Sequence, residues 1–516
     1  MNWTDEQIAF SDAVVAGKSC KLAAYAGTGK SSALLLAAQR DGRPGVCLVF
    51  NRAIAIEGQR RFAASAPCVS VLTGHSFAMR AVGRFYNHRV QKSTWQFRNA
   101  LSERYLREFL KVSQSPGDAD RMIFAVMDVI RSFEQSIEPE ITAAHLPVEA
   151  MASRVVSLFG PEILRVARLV WADIEDRAGT LCVSHDAYFK LWALTNPRID
   201  ADVIYADEYQ DFSALMVEVL RQQTHAQKVL CGDSYQAIYA WRGAKDAMES
   251  CPFDEYPLTM SWRFGPEIAS IANMVLKARR ARWPLVGGAP NGKVSLRGEA
   301  PATCILSRTN AGMVDVALSQ LLAGRKVAFL GGVEAVASTM EGAYDLWLNG
   351  KSEHPNFRLF RSWTELDEVS RTTHGGTLRA AVRLVDRFTY GVPELVTRLR
   401  AETVSEAEAD VVLSTVHGFK GRGSQVLRLS GDFLPFATRV VSPPSTFPEP
   451  TIHSEEANIA YVALTRAEHE LQIGAYYETF KKSLDVAAEV IAASERVAVA
   501  PQTSDEVKAV PARATA

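Results

Sequence analysis

Eight residues near the N-terminus, Ala24-Tyr25-Ala26-Gly27-Thr28-Gly29-Lys30-Ser31, restrict what this chain can fold into more than any other stretch. Cys20 to Ala24 reads as a short buried strand, and Ser31 to Gln39 as an Ala/Leu-rich helix. A strand that passes through a Gly-rich turn into a helix aims backbone N–H groups and the helix N-terminus at an anion. With a Lys-Ser pair at the turn, Lys30 reaches toward β- and γ-phosphates and the Ser31 hydroxyl toward Mg²⁺. The first position of this P-loop pattern is Ala24, where Gly is usual.

The strands that follow end in polar residues, as at the ligand edge of a parallel sheet. Gly45 to Phe50 runs into Asn51-Arg52 and a helix from Ala53, and Val69 to Leu72 into Thr73-Gly74-His75-Ser76. Thr73, His75 and Ser76 together suit contacts to a phosphate backbone, whereas His75 by itself reads as structural. Val203 to Ala206 carries Asp207-Glu208-Tyr209-Gln210-Asp211. Adjacent carboxylates at a buried strand end are costly unless a cation or a proton-accepting role holds them. Beside a P-loop, Asp207 is placed to hold the metal through water and Glu208 to orient and deprotonate the attacking water. Lys228 to Cys231 leads to Gln236, well placed to sense a γ-phosphate, and then to Tyr239, Trp241 and Arg242. These last three read either as a stacking platform for unpaired bases or as packing under a loop. Upstream, Gln7 reads either as the distal half of a Thr4-x-x-Gln7 capping box or as an amide facing the adenine edge.

Between the third and fourth strands, Val82 to Ala178 is helical by pattern, with Trp95, Phe97, Tyr105, Phe109, Phe124 and Phe133 on its apolar faces. This is a helical insertion. A second α/β unit is expected from Tyr256–Met260 onward, with strands at Thr303–Ser307, Lys326–Leu330, Val411–Ser414 and Leu471–Ile473. Residues 333–402 are mostly helical, Ser442–Pro450 is a Pro-rich loop, Glu455–Ala467 is a helix, and the tail from about Val497 is disordered.

A net charge of −1 gives no global attraction to nucleic acid, so a polyanion must be met by a local groove. Seven scattered cysteines without a C-x-x-C pair argue for a reducing cytosol and against a zinc or iron–sulfur site. No signal peptide or membrane-length apolar run is present, and a cytoplasmic location is expected.

Gly-Thr-Gly-Lys-Ser, Asp-Glu-Tyr-Gln-Asp, Gly-Asp-x-x-Gln-x-Ile-Tyr-x-Trp-Arg-Gly-Ala and Tyr-Val-Ala-Leu-Thr-Arg-Ala occur in this order. Together they resemble the UvrD/Rep class of superfamily 1 DNA helicases, with the resemblance running from Gln7 to about Ile473. Phe50-Asn51-Arg52, His185-Asp186, Trp262-Arg263-Phe264-Gly265 and Leu306-Ser307-Arg308-Thr309-Asn310 are most similar to the helicase core of the F-box DNA helicase branch. No F-box precedes the core, so a ubiquitin-ligase role is not expected.

The resemblance implies an α/β chain of two RecA-like P-loop domains with parallel sheets and helical insertions, ATP and Mg²⁺ lying in the cleft. Residues 1–81 with 179–250 would form the first domain and 251–332 with 403–496 the second. The insertions would be 82–178 and a reduced 333–402. Nucleotide contacts would come from Gln7, Ala26, Gly27, Thr28, Gly29, Lys30, Ser31, Ser32, Trp262, Arg263, Gly421 and Arg466. Trp262 would stack on adenine, and the catalytic residues would be Lys30, Glu208, Gln236, Arg263 and Arg466, with Gln236 and Arg263 meeting the γ-phosphate and Arg466 as the arginine finger. Phe50, Asn51, Thr73, His75, Tyr239, Trp241, Arg242, Thr415 and His417 would line a single-stranded DNA track travelled 3′→5′.

Two departures from the family pattern stand out. Lys420-Gly421 is followed by Arg422-Gly423-Ser424, without the Glu that usually contacts ribose, and 333–402 is much shorter than the accessory domain of longer members. The expected function is an ATP-dependent DNA helicase or translocase acting on single-stranded or 3′-tailed duplex DNA. The alternative is a non-unwinding, DNA-stimulated ATPase that serves a recombination, repair or nuclease partner protein. RNA is not excluded as the strand.

Overall fold

The structure, a computed structural model, describes residues 3–50, 52–91, 94–147, 154–239, 247–290, 292–296, 300–358, 360–370, 376–441 and 447–499. Asn51, Trp241, Arg242 and the tail from residue 500 lie outside them.

Short apolar strands, buried on both faces and separated by helices, assemble into parallel sheets because each crossover returns the chain in the same direction. The first sheet contains β1 (Cys20–Ala24), β2 (Gly45–Leu48), β3 (Val69–Leu72), β4 (Val203–Ala206), β5 (Gln227–Gly232) and β6 (Asp254–Leu258). Their order is β3-β2-β4-β5-β1-β6, all parallel. The expected start of the second unit is corrected here: β6 pairs with β1, Cys20 opposite Asp254, and closes the edge of the first sheet. A lone extended segment does not reveal from its own letters which sheet it will join, and here the edge of the P-loop strand takes it.

The chain then crosses over through a short parallel pair, β7 (Met260–Ser261) and β8 (Val286–Gly287). The second sheet comprises β9 (Lys293–Ser295), β10 (Cys304–Ser307), β11 (Val327–Phe329), β12 (Val411–Thr415), β13 (Ser424–Leu429) and, after the antiparallel pair β14 (Ala437–Val440) and β15 (Glu449–Ile452), β16 (Ala467–Gln472). Its order, β11-β12-β10-β13-β16-β9, is again all parallel. The expected helix over Glu455–Ala467 is shorter, Ser454–Leu464, and the last strand begins at Ala467. Helical Ala-rich pattern yields there to ladder pairing with β13, which leaves Thr465 and Arg466 in the turn between helix and strand.

Helices Thr94–Ser113, Pro116–Gln135 and Arg154–Glu175 form the insertion after β3, and Phe97, Tyr105, Phe109, Phe124 and Phe133 are buried in it. Its apolar core is continuous with the face of the first sheet, through Leu48, Ile204 and Leu230. Between β11 and β12, helices Glu334–Asn349, Trp363–Ser370, Gly376–Phe388 and Val392–Glu402 cover the second sheet with Leu346, Leu366, Val385 and Leu399. The two insertions touch: Arg358 pairs with Asp128 at 2.9 Å and lies 4.6 Å over the ring of Phe124. Among the described residues no helix is long and apolar enough to cross a membrane, and all seven thiols are free.

Glu134 on helix Pro116–Gln135 is buried, its Oε1 accepting from Ser184 Oγ at 2.8 Å, and burial pushes its carboxyl up to about 8. The folded state thus holds a proton that the unfolded chain releases near its ordinary value, so stability declines as pH rises between those two values. Glu134→Gln keeps an acceptor for Ser184 and removes that decline. Urea unfolding is expected to show the variant gaining roughly 2–4 kcal/mol on wild type between about pH 5 and pH 8. A pH-independent difference would contradict the assignment.

Candidate active site between the two sheets

The turn after β1 sits at the carboxyl edge of the first sheet, where loops after β4 and β5 converge on it. Gly27 and Gly29 adopt left-handed backbone, φ +76° and +84°, which glycine takes without a Cβ penalty. A Cβ on Gly27 would also lie 2.5 Å from Ser261 Oγ and 2.7 Å from Arg263 Cβ, so the turn is close-packed against the second half of the chain. Trp262 N–H donates to Gly27 O at 2.9 Å.

Ser31 Oγ donates to Asp207 Oδ2 at 2.8 Å, and Lys30 Nζ lies 3.1 Å from Glu208 Oε1. Glu208 has φ +56°, an unfavourable left-handed conformation for a residue with a side chain. Three contacts hold it there: its N–H donates to Asp207 Oδ1, and its carboxylate accepts from Lys30 and from Gln210 Nε2 at 2.6 Å. Burial pushes Asp207, Asp211 and Asp233 up to about 6, while Lys30 and Lys420 hold Glu208 down to about 2 against its own burial. Ser31 and Asp207 offer hard oxygen donors of the kind Mg²⁺ accepts alongside phosphates. Among the described residues no group of three or more His, Cys, Asp or Glu forms a metal cage of its own.

Facing this acidic edge are two arginines from the second half. Arg466 is 1% exposed and donates to Val462 O, Gln236 Oε1, Arg422 O and Thr465 Oγ1, all uncharged. Arg263 Nη1 donates to Thr465 O at 3.0 Å. Neither makes an ion pair among the described residues. Burial, then the neighbouring Arg263, lowers Arg466 to about 9. Lys30, Glu208, Gln236, Trp262, Arg263 and Arg466 all line one cavity of about 670 Å³, with Gly27, Thr28, Gly29, Ser31, Ser32 and Gly421.

Two expected contacts sit differently. Ala26 is buried, and its N–H already donates to Tyr461 Oη at 3.1 Å, so it backs the turn and does not line the cavity. Gln7 divides its amide: Oε1 accepts from Thr4 N–H in a capping box, and Nε2 lies 3.3 Å from where a Cβ on Gly29 would stand. The cavity also takes in Arg61, Glu468 and His469, which carry no motif signal, and Arg61 donates to Ser32 Oγ at 3.0 Å. Tyr461 was visible only as a motif letter, yet its hydroxyl donates to Asp233 Oδ2 as well as accepting from Ala26.

The expected track residues fall beside this cavity. Phe50 and Tyr239 stack on each other, centroids 5.7 Å apart at 14°, and Tyr239 Oη donates to His417 O at 3.2 Å. Burial lowers His417 to about 4, and its Nε2 meets Ile238 O at 3.0 Å. Thr73 and Thr415 cap helices by accepting from Ser76 and Gly418 N–H. His75 Nε2 is hydrogen-bonded to Asp186 Oδ1 at 2.9 Å and its ring stacks on Phe189, at the wall of a second cavity of about 750 Å³ that Phe50 also lines. Lys420 joins the two regions: Nζ contacts Asp211 at 2.5 Å and Gln236 O at 2.5 Å, and lies 4.9 Å over the Tyr239 ring.

Residues 3–248 match the sequence model of the UvrD/REP helicase N-terminal domain. This first part of the chain is similar to a UvrD/Rep helicase domain. The α/β architecture, two all-parallel six-stranded sheets with helical insertions, is consistent with the two RecA-like domains expected. F-box DNA helicase 1 of Gallus gallus is 29% identical to this chain over 90% of the chain's length. F-box DNA helicase protein 1 of Schizosaccharomyces pombe is 28% identical over 88%. The chain spans about half the length of these relatives, 48% and 55% respectively. The arterivirus nonstructural protein 10 helicase aligns with 92% of this chain and 63% of its own at 9% identity and a TM-score of 0.32, a likeness that carries no argument.

Lys420 and Asp211 are an ion pair with side chains 8% and 3% exposed. Lys420→Met strands the Asp211 carboxylate and is expected to destabilise the fold by about 3–5 kcal/mol in urea unfolding at neutral pH. Adding Asp211→Asn should recover most of that loss. A Lys420→Met protein within about 1 kcal/mol of wild type would contradict the pairing.

Proposed function

We propose that this chain is an ATP-driven DNA helicase or translocase that moves 3′→5′ along single-stranded DNA, hydrolysing ATP between its two sheets. The observation that carries the reading is Arg466, a buried cation whose hydrogen-bond partners are all uncharged, set with the half-buried Arg263 across one cavity from Lys30, Ser31 and Glu208. A buried charge left uncompensated is costly, and a triphosphate is the ligand that would compensate it. The two lobes would be residues 1–81 with 179–258, and 260–332 with 403–499, and the insertions 82–178 and 333–402.

In this reading Lys30 exchanges Glu208 for the phosphates. That exchange frees the Glu208 carboxylate from its strongest cationic neighbour, raises its proton affinity and lets it orient and deprotonate water. Mg²⁺, held by Ser31 and through water by Asp207, would supply charge neutralisation of the phosphates. Gln236 spans the cleft from Asp233 Oδ2 to Arg466, so it is positioned to report the γ-phosphate to both lobes. Closure around ATP and reopening after hydrolysis would move Lys420 against Tyr239 and shift the grip on the strand, a two-state change driven by differential contacts.

Lys30→Ala is expected to lose nucleotide binding. Glu208→Gln should bind ATP and fail to turn it over, with DNA-stimulated hydrolysis down by roughly 10³-fold or more. Turnover near the wild-type level in the Glu208→Gln protein would refute the assignment. Strand displacement is the second arm. A duplex with a 3′ tail should be unwound and one with a 5′ tail should not. DNA-stimulated hydrolysis without displacement of either duplex would leave the accessory-ATPase reading instead.

A further inference from the structure

The loop that follows Lys420 offers the nucleotide cavity no acidic side chain of its own: it runs Gly421-Arg422-Gly423-Ser424. The space is nevertheless filled by a carboxylate. A Cβ built on Gly423 would lie 2.3 Å from Glu468 Oε1 and 3.2 Å from its Cδ, closer than real Cβ atoms come. Glu468 therefore occupies the volume that any side chain at position 423 would need. It arrives from β16, two residues beyond Arg466, and lines the same cavity as Gly27–Ser32, Trp262 and Arg263. Its second oxygen accepts from Gln425 Nε2, which fixes the direction of the carboxylate.

The chemistry of the cavity restricts what Glu468 can face. A carboxylate is an acceptor only, and it repels the polyphosphate that Lys30, Arg263 and Arg466 attract. Trp262 is 55% exposed at the mouth and presents an indole face, a surface for the base. The remaining donors on a nucleotide, set between base and phosphates, are the sugar hydroxyls, and a carboxylate is the residue type that accepts from a ribose diol. We propose that Glu468 reads the ribose hydroxyls of the bound nucleotide through the gap left by Gly423, and so makes the site selective for ribonucleotides over deoxynucleotides. The inference rests on the nucleotide-site reading above. Glu468 also lies near Arg263 and favours its charged form, which ties sugar recognition to one of the two cations across the cleft.

Equilibrium binding of ATP, 2′-deoxy-ATP and 3′-deoxy-ATP to the intact chain, measured by calorimetry with Mg²⁺, tests this without requiring turnover. Wild type is expected to prefer ATP over at least one deoxy form by roughly ten-fold, the size of one charge-assisted hydrogen bond. Glu468→Ala should lose most of that preference. Gly423→Glu by itself should weaken binding of all three, because two carboxylates then compete for one space. The double variant Gly423→Glu with Glu468→Ala should regain a preference for ATP, since the carboxylate is returned from the opposite side of the gap. An undiminished preference in Glu468→Ala, or a double variant no more selective than Glu468→Ala, overturns the proposal. Equal binding of all three nucleotides by wild type overturns it too, yet leaves the nucleotide site standing. Loss of all binding in wild type overturns both.

Discussion

The arrangement depends on an arginine whose charge is not neutralised where it lies. Arg466 is as buried as the apolar core around it, yet every group it touches is a neutral oxygen. A guanidinium in that position is destabilising by itself, as its depressed proton affinity records. The compensation comes from geometry. Thr465 and Arg466 occupy the turn between the Ser454–Leu464 helix and β16, and this turn is held against the loop after β5 by Asn458, whose Nδ2 donates to Ser234 O and Ala237 O. The second lobe thus presents a fixed cation toward the first, and in the proposed function the triphosphate would neutralise that cation while its Mg²⁺ would answer the acidic edge.

The same contacts explain how events at one end of the cleft can be felt at the other. Tyr461 bonds the back of the P-loop turn and Asp233, Gln236 bridges Asp233 to Arg466, and the Gln236 carbonyl accepts from Lys420. Lys420 in turn neutralises Asp211 and lies over Tyr239, which stacks on Phe50. The path runs from the cavity-lining amide of Gln236 to an aromatic pair through buried polar contacts, each with a partner it cannot lose cheaply. In the proposed function, that path links nucleotide state to the strand-holding surface.

Much of this was legible in the chain's own letters, and the reasons differ by element. The P-loop, Asp207-Glu208 and Gln236 lie on short segments immediately after buried strands, so local pattern places them at one sheet edge. The capping box at Thr4 and Gln7 is likewise local. What escaped a linear reading depends on pairing between distant segments. Tyr256–Met260 looks the same whether its strand opens a new sheet or closes the old one, and only pairing with β1 decides. Residues 455–467 keep helical apolar spacing past Leu464, but Ala467 is claimed by β13, and that early exit is what aims Arg466 into the cavity. Ala26 belongs to the P-loop by spacing and is removed from the cavity by a tyrosine 435 positions away. Glu468 carried no signal at all, because its place in the cavity depends on the missing side chain at Gly423.

The central claim is that the second lobe completes the first lobe's phosphate site through Arg466. Single-turnover hydrolysis by an Arg466→Ala protein, with ATP binding measured in parallel, tests it most directly. The account predicts that the variant still binds ATP through the P-loop and hydrolyses it about 10³-fold or more slowly than wild type, with or without DNA. Hydrolysis at the wild-type rate, with binding intact, would contradict it.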